Sequence, residues 1–191
     1  MRTVLRSLVC LLCGLGVLTL GAASAESQSA AGPLPPDRRT EWTIAEGFGF
    51  TLNVNRGHSH ELALYALPAL SVRLSSRFEW LFEGHVAHFF SPGGYMVGVM
   101  PIGGRLYIGN GRVLPYATIG GGLGWTNLVG LEEIDQRFNF LLQIGAGLRW
   151  PISDDRAWTL EARGSHISNA GMTKSNLGHN QLVVIGGFRF R

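Results

Sequence analysis

From Glu41 to the C-terminus, apolar and polar residues alternate with a period of two, eight such runs can be counted, and the charged residues collect on one parity of them. Together these observations predict an all-β chain, an eight-stranded antiparallel up-and-down transmembrane β-barrel of the outer membrane. Period two is the signature of a half-buried strand, and the helical spacing of 3.6 is nowhere sustained. The sign of the alternation then decides the surroundings. A soluble barrel points its apolar face inward, whereas an outer-membrane barrel points it at lipid and fills its lumen with polar groups.

The runs fall at about 42–54, 61–74, 77–89, 94–108, 113–126, 137–150, 157–168 and 180–190. In the first, Trp42, Ile44, Phe48, Phe50, Leu52 and Val54 alternate with small or polar residues; in the sixth, Phe138, Phe140, Leu142, Ile144, Ala146 and Leu148 do so. Ser91-Pro92-Gly93-Gly94, Gly109-Asn110-Gly111 and Ser153-Asp154-Asp155 punctuate them as turns. Runs of this length exceed the ordinary strand of about five or six residues and suit a tilted bilayer crossing.

The polar parity carries Arg77, Glu79, Glu83, Arg137, Gln143, Glu161, Arg163 and Arg189, which could pack as a plug inside a narrow barrel. Trp42, Trp80, Trp125, Trp150, Trp158 and Phe190 stand on the other parity near strand ends, as interface girdles do. Glu46 is a misfit on the lipid parity, for which a bulge at Gly47 would account. A soluble calycin-like barrel, its aromatics turned inward, is the rival architecture.

Residues 1–25 read as a secretory signal, because Arg2 and Arg6 precede an apolar run from Leu8 to Leu20 and Ala23-Ser24-Ala25 offers a cleavage site. Residues 26–40 are small, polar and proline-containing, a flexible lead-in, and residues 41–191 form one domain. Both cysteines, Cys10 and Cys13, lie in the signal, so a mature chain beginning at Glu26 has no disulfide. The formal charge of +3 loses two arginines with the signal, and Lys174 is the sole lysine. This balance gives nucleic acid no basic surface to bind.

The chemistry-bearing stretch is Arg163-Gly164-Ser165-His166-Ile167-Ser168-Asn169-Ala170-Gly171, followed by Asn176-Leu177-Gly178-His179-Asn180. His166 and Ser168 continue the face of Trp158, Leu160 and Ala162, while Asn180 heads the lipid-facing parity of the eighth run. Three polar groups therefore converge on the outer wall near one rim, a place where a lipid has reason to be and a soluble substrate has none. A serine hydroxyl is a weak nucleophile until a base takes its proton, and histidine is the usual base. Amides in the following loop, or backbone N–H groups near Ala170 and Gly171, could hold an oxyanion. Ester hydrolysis on an acylated lipid is the reaction class that fits. Ser168-Asn169 reads equally as the start of a turn.

His166-Ile167-Ser168-Asn169-Ala170 with Asn176-x-Gly178 resembles the C-terminal signature of the outer-membrane lipid A 3-O-deacylases, the PagL-like family also labelled acyloxyacyl hydrolases. The resemblance implies an eight-stranded esterase that removes the 3-position hydroxyacyl chain from lipid A of lipopolysaccharide with serine, histidine and glutamate, and without cofactor or metal. By that likeness Ser168 is the nucleophile and His166 the general base, and Asn169 and Asn176 help to shape the site or its oxyanion hole. Where the family carries its glutamate this chain has Asn180. A carboxamide can orient an imidazole but cannot stabilise imidazolium by charge.

The expected partners are lipid A as substrate and the surrounding outer-membrane lipid, with a homodimer left open. His58-Ser59-His60 reads as a solvated loop rather than a metal pair, since only Glu61 accompanies it. Two other functions stay in competition: a non-catalytic barrel with a structural, adhesive or binding role, and a lipocalin-like carrier. Loops that read as short, except for the one around the site, count against an adhesin.

Overall fold

The computed structural model describes residues 40–51, 62–90, 93–129, 134–173 and 178–191. The expected signal, the lead-in to residue 39, the His58-Ser59-His60 loop and Asn176 lie outside the described residues. Nine strand segments follow one another: β1 (Thr40–Thr51), β2 (Leu62–Ala66), β3 (Ala69–Arg73), β4 (Phe78–Phe89), β5 (Gly94–Tyr107), β6 (Leu114–Thr126), β7 (Phe138–Pro151), β8 (Arg156–Ser168) and β9 (His179–Phe190). Every pairing is antiparallel, β1 and β4 each pair with both β2 and β3, and β1 closes the sheet by pairing with β9 from Trp42↔Phe190 to Thr51↔Gln181.

Segments β2 and β3 are one stave, because both lie between β1 and β4. Proline has no N–H for the ladder, so the expected single run 61–74 is interrupted at Leu67-Pro68. Leu67 N–H still donates to Ala45 O at 2.8 Å, and Pro68 O accepts from Gly84 N–H at 2.8 Å. Eight staves thus make a closed up-and-down barrel, the predicted fold.

Burial alternates along the staves with the predicted sign. Ile44, Ile119 and Ile144 on the outer wall are 59%, 59% and 66% exposed, whereas Glu79, Glu83, Arg105, Glu161, Arg163 and Arg189 inside are almost wholly buried. An outer wall this apolar is stable against lipid rather than water. Trp42, Trp158, Phe188 and Phe190 gather at the end where the chain terminates, with Trp158 and Phe188 4.9 Å apart. Tyr95 and Trp125, 5.7 Å apart, mark the opposite end. Connections at the terminal end have at most six residues, whereas three of the four at the other end, 52–61, 127–137 and 169–178, have ten or more, which by the usual asymmetry of these barrels makes the latter end extracellular.

Inside, the two halves differ. Toward the terminal end an alternating chain of charges runs Arg149–Glu41–Arg189–Glu79–Arg105–Glu161–Arg163–Glu83, with N···O distances of 2.6–3.2 Å. Toward the other end the lumen is filled by Tyr65, Phe89, Met96, Leu128, Ile134, Leu141, Ile167 and Val183.

Four expectations change. The β1 ladders run through Glu46 and Gly47 without a register shift, so no bulge occurs there. The shift is in β5 instead, between Val99 and Ile102 against β6 and matched against β4. Pro101 and Ile102 both face outward there, and the inward set passes from Met96 and Met100 to Gly103, Arg105 and Tyr107. Arg77 and Arg137 are exposed in the connections preceding β4 and β7, not in the lumen, because both strands begin one residue later. The connection at 127–137 is also as long as the one at 169–178, and it sends Leu128 and Ile134 into the barrel.

Candidate active site on the outer wall

β8 carries the site on one face and part of the plug on the other. Glu161, Arg163, Ser165 and Ile167 point inward and are buried; Gly164, His166 and Ser168 point outward and are half-buried. The β8–β9 register places His166 directly opposite Asn180, and the β7–β8 register places Ser168 opposite Phe140. His166 Nδ1 and Asn180 Oδ1 are 2.8 Å apart. An amide oxygen only accepts, so Nδ1 carries the hydrogen and Nε2 keeps its lone pair. That is the tautomer a general base needs. Ser168 lies two residues further along the same face, and among the described residues no hydrogen bond joins its hydroxyl to the imidazole.

The ring is fixed from above by the incoming loop. Gly178 has φ +71°, and a Cβ placed on it would come within 2.5 Å of His166 Cε1. Glycine is required there twice over, by the left-handed backbone and by the imidazole it covers.

The strand ends in a tight turn directly after Ser168. Met172 N–H donates to Asn169 O at 3.1 Å, and the two central residues, Ala170 and Gly171, have φ of +54° and +78°. This sign at both positions is that of a type I′ turn. Alanine in the left-handed region costs about 1–2 kcal/mol, and side chains offset that cost. Asn169 Oδ1 accepts from Gly171 N–H at 2.8 Å, and its Nδ2 donates to Asp135 Oδ1 at 2.7 Å and to Thr173 Oγ1 at 2.6 Å. Thr173 in turn donates to the second Asp135 carboxylate oxygen. Both amide hydrogens of Asn169 are therefore engaged in shaping the turn. Asp135, on the 127–137 connection, straps it to the neighbouring loop.

Sequence reasoning did not reach Asp135 or Thr173. Both sit in connections, where no periodicity assigns a face, and their one signal is that such residues favour turns. Glu161, the acid nearest in sequence to the dyad, faces the lumen and is held by Arg105, Arg163 and Tyr116 at 2.6–2.7 Å. Among the described residues, no group of three or more His, Cys, Asp or Glu side chains is placed to hold a metal ion.

A sequence profile described as Lipid A 3-O-deacylase (PagL) matches residues 29–189. The chain belongs to the PagL family. Among solved structures it is similar to the crystal structure of the outer-membrane enzyme PagL, at 17% identity and a TM-score of 0.62, covering 76% of this chain and 97% of that one. It is also similar to Neisserial surface protein A, at 11% identity and a TM-score of 0.60, covering 79% of this chain and 96% of that one. At these identities the likeness speaks to the barrel. No curated protein matches the chain by sequence. The closed barrel, its apolar outer wall and these neighbours place this PagL-family member in the outer membrane.

Proposed function

We propose that the protein is a serine esterase hydrolysing the 3-O-linked hydroxyacyl chain of lipid A, with Ser168 as nucleophile, His166 as general base and Asn180 orienting the imidazole. The observation that carries this reading is the hydrogen bond from His166 Nδ1–H to Asn180 Oδ1, made on the lipid-facing wall beside Ser168. That bond fixes the tautomer in which Nε2 keeps its lone pair, and Gly178 leaves room for the ring.

In the proposed reaction Ser168 Oγ attacks the ester carbonyl while Nε2 takes the hydroxyl proton. The tetrahedral intermediate collapses, and the sugar oxygen leaves with that proton. Water then enters, gives a proton to His166 and attacks the acyl-serine, and the fatty acid departs as Ser168 is regenerated. In the turn at residues 169–172 the N–H groups of Gly171 and Met172 are spent on Asn169, so the expected Gly171 donor is engaged and Ala170 N–H is the backbone donor proposed for the oxyanion. Asn176, on the loop that returns to Gly178, is the side-chain donor assigned to the oxyanion, while Asn169 builds the turn.

Asn180 favours a second reading, a barrel whose catalytic function has lapsed, because an amide leaves the imidazolium uncompensated. Mass spectrometry of lipid A from outer membranes of cells expressing the protein separates the two. Loss of one hydroxyacyl mass with the wild type, absent with Ser168→Ala and His166→Asn at equal barrel levels, is the expected result. Unchanged lipid A in all three would leave the non-catalytic barrel.

A further inference from the structure

Arg137 is exposed immediately before β7, with its backbone carbonyl held by Thr126 N–H at 2.8 Å. Its guanidinium lies over the Trp125 ring, 5.6 Å from the centroid, and Trp125 in turn lies against Tyr95. Among the described residues that guanidinium has no ion pair and no hydrogen bond. Asp135, the acid closest to it in sequence, is committed to Asn169 and Thr173.

The remaining described arginines are accounted for elsewhere. Arg73, Arg105, Arg149, Arg163 and Arg189 are buried in the lumen. The others belong to the terminal end, on or beside its short turns: Arg77, Arg112, Arg156 and Arg191. Arg137 is thus the one described arginine on the rim that bears His166 and Ser168.

Its placement relative to Ser168 follows from the registers. Phe138 faces Trp125, and Phe140 faces Ser168. Arg137 is therefore about 10 Å along β7 from the residue beside the nucleophile, and one strand spacing of about 5 Å to the side. The guanidinium, over Trp125 on β6, lies on the side of β7 away from β8, so the gap to Ser168 is about two strand spacings, about 10 Å, to the side, a span for a headgroup of more than one sugar. The cation–π contact with the indole restrains the guanidinium, whose N–H groups have no partner among the described residues. Those donors match the geometry of a phosphate monoester, which a guanidinium grips with two bonds.

Resting on the esterase reading, we infer that Arg137 binds a phosphate carried by the acylated glycolipid itself, so that the enzyme selects phosphorylated over dephosphorylated substrate and sets the ester in register with Ser168. Trp125 serves as the platform that holds Arg137 in place.

The test is a binding titration that does not depend on turnover. The full-length Ser168→Ala barrel, refolded in neutral detergent, is titrated by native mass spectrometry with phosphorylated lipid A and with the same lipid A after phosphatase treatment. Binding of the phosphorylated form about tenfold tighter is expected. Adding Arg137→Ala should erase that preference by weakening the phosphorylated form alone, Arg137→Lys should keep part of it, and Trp125→Leu should reduce it. Equal weakening of both lipids by Arg137→Ala, or an intact preference, would overturn the inference. So would displacement of the lipid by millimolar inorganic phosphate, which would make the contact a site for the free anion. A wild-type barrel that cleaves no ester defeats the esterase reading, while the titration still decides the role of Arg137.

Discussion

The two faces of β8 carry similar chemistry to opposite ends. On the inner face Glu161 and Arg163 are each held by several partners, and their charges continue into Glu83, Arg105 and Tyr116. On the outer face His166 has Asn180, and Ser168 has no side-chain partner among the described residues. Buried polar groups that satisfy one another are structural. Polar groups left with spare capacity at a membrane surface are available for reaction. The difference shows why neither burial nor polarity alone marks a site: the marker is unspent hydrogen-bonding capacity.

The strongest way to break that comparison is to cross the two faces with two readouts. Ser168→Ala should cut deacylation by at least about 10³-fold while leaving chemical unfolding of the barrel unchanged. Glu161→Gln should do the reverse. Removing one member of a buried ion network costs about 3–5 kcal/mol, so the unfolding midpoint should fall while activity per folded barrel is kept. Loss of activity in folded Glu161→Gln would mean the plug takes part in the chemistry.

A smaller effect is expected at Gly178. Its replacement by Ala should lower activity about 10²-fold, because a 1 Å misplacement of a catalytic group can cost that much, and a methyl group there displaces the His166 ring. Activity equal to wild type would show that the imidazole works from another rotamer. Asp135→Asn should cost less, about tenfold in kcat with KM little changed, since it loosens the turn after Ser168 without touching the dyad. A rise in KM alone would assign Asp135 to substrate binding instead. The smallest effect sharpens the comparison by improving the outer face. Asn180→Asp supplies the charge the imidazolium lacks and should raise kcat about fivefold, the equivalent of the difference of about 1 kcal/mol between a neutral and a charge-assisted hydrogen bond. An unchanged kcat would show that another step limits turnover.

Most of the barrel was legible because strand parity is a local property. His166, Ser168 and Asn180 fell on one face by counting in twos, and the register then brought His166 opposite Asn180. What escaped were departures from that count. Pro101 adds a residue to β5 and reverses its parity, so Arg105 enters the plug although the sequence analysis had not placed it there. The two adjacent apolar residues Ile102 and Pro101, one of them a proline in a strand, were the available sign. Arg77 and Arg137 were assigned inward because the alternation was extended one residue beyond the true strand starts. Asp135 and Thr173 lay beyond any periodicity, since loop contacts are settled only once distant strands have closed the barrel.

Under the proposed reaction, the outward aim of His166 and Ser168 also bears on how turnover is to be measured. A site on the wall of a barrel is supplied sideways, by lateral diffusion within one leaflet, and returns its fatty acid to the same leaflet. Its effective substrate concentration is a mole fraction in the surface, not a molarity in solution. Diluting the target lipid with inert lipid at constant bulk amount should slow the reaction, whereas diluting the vesicles with buffer should not. Water, the second reactant, arrives by the opposite route, from the aqueous rim just above the turn at residues 169–172.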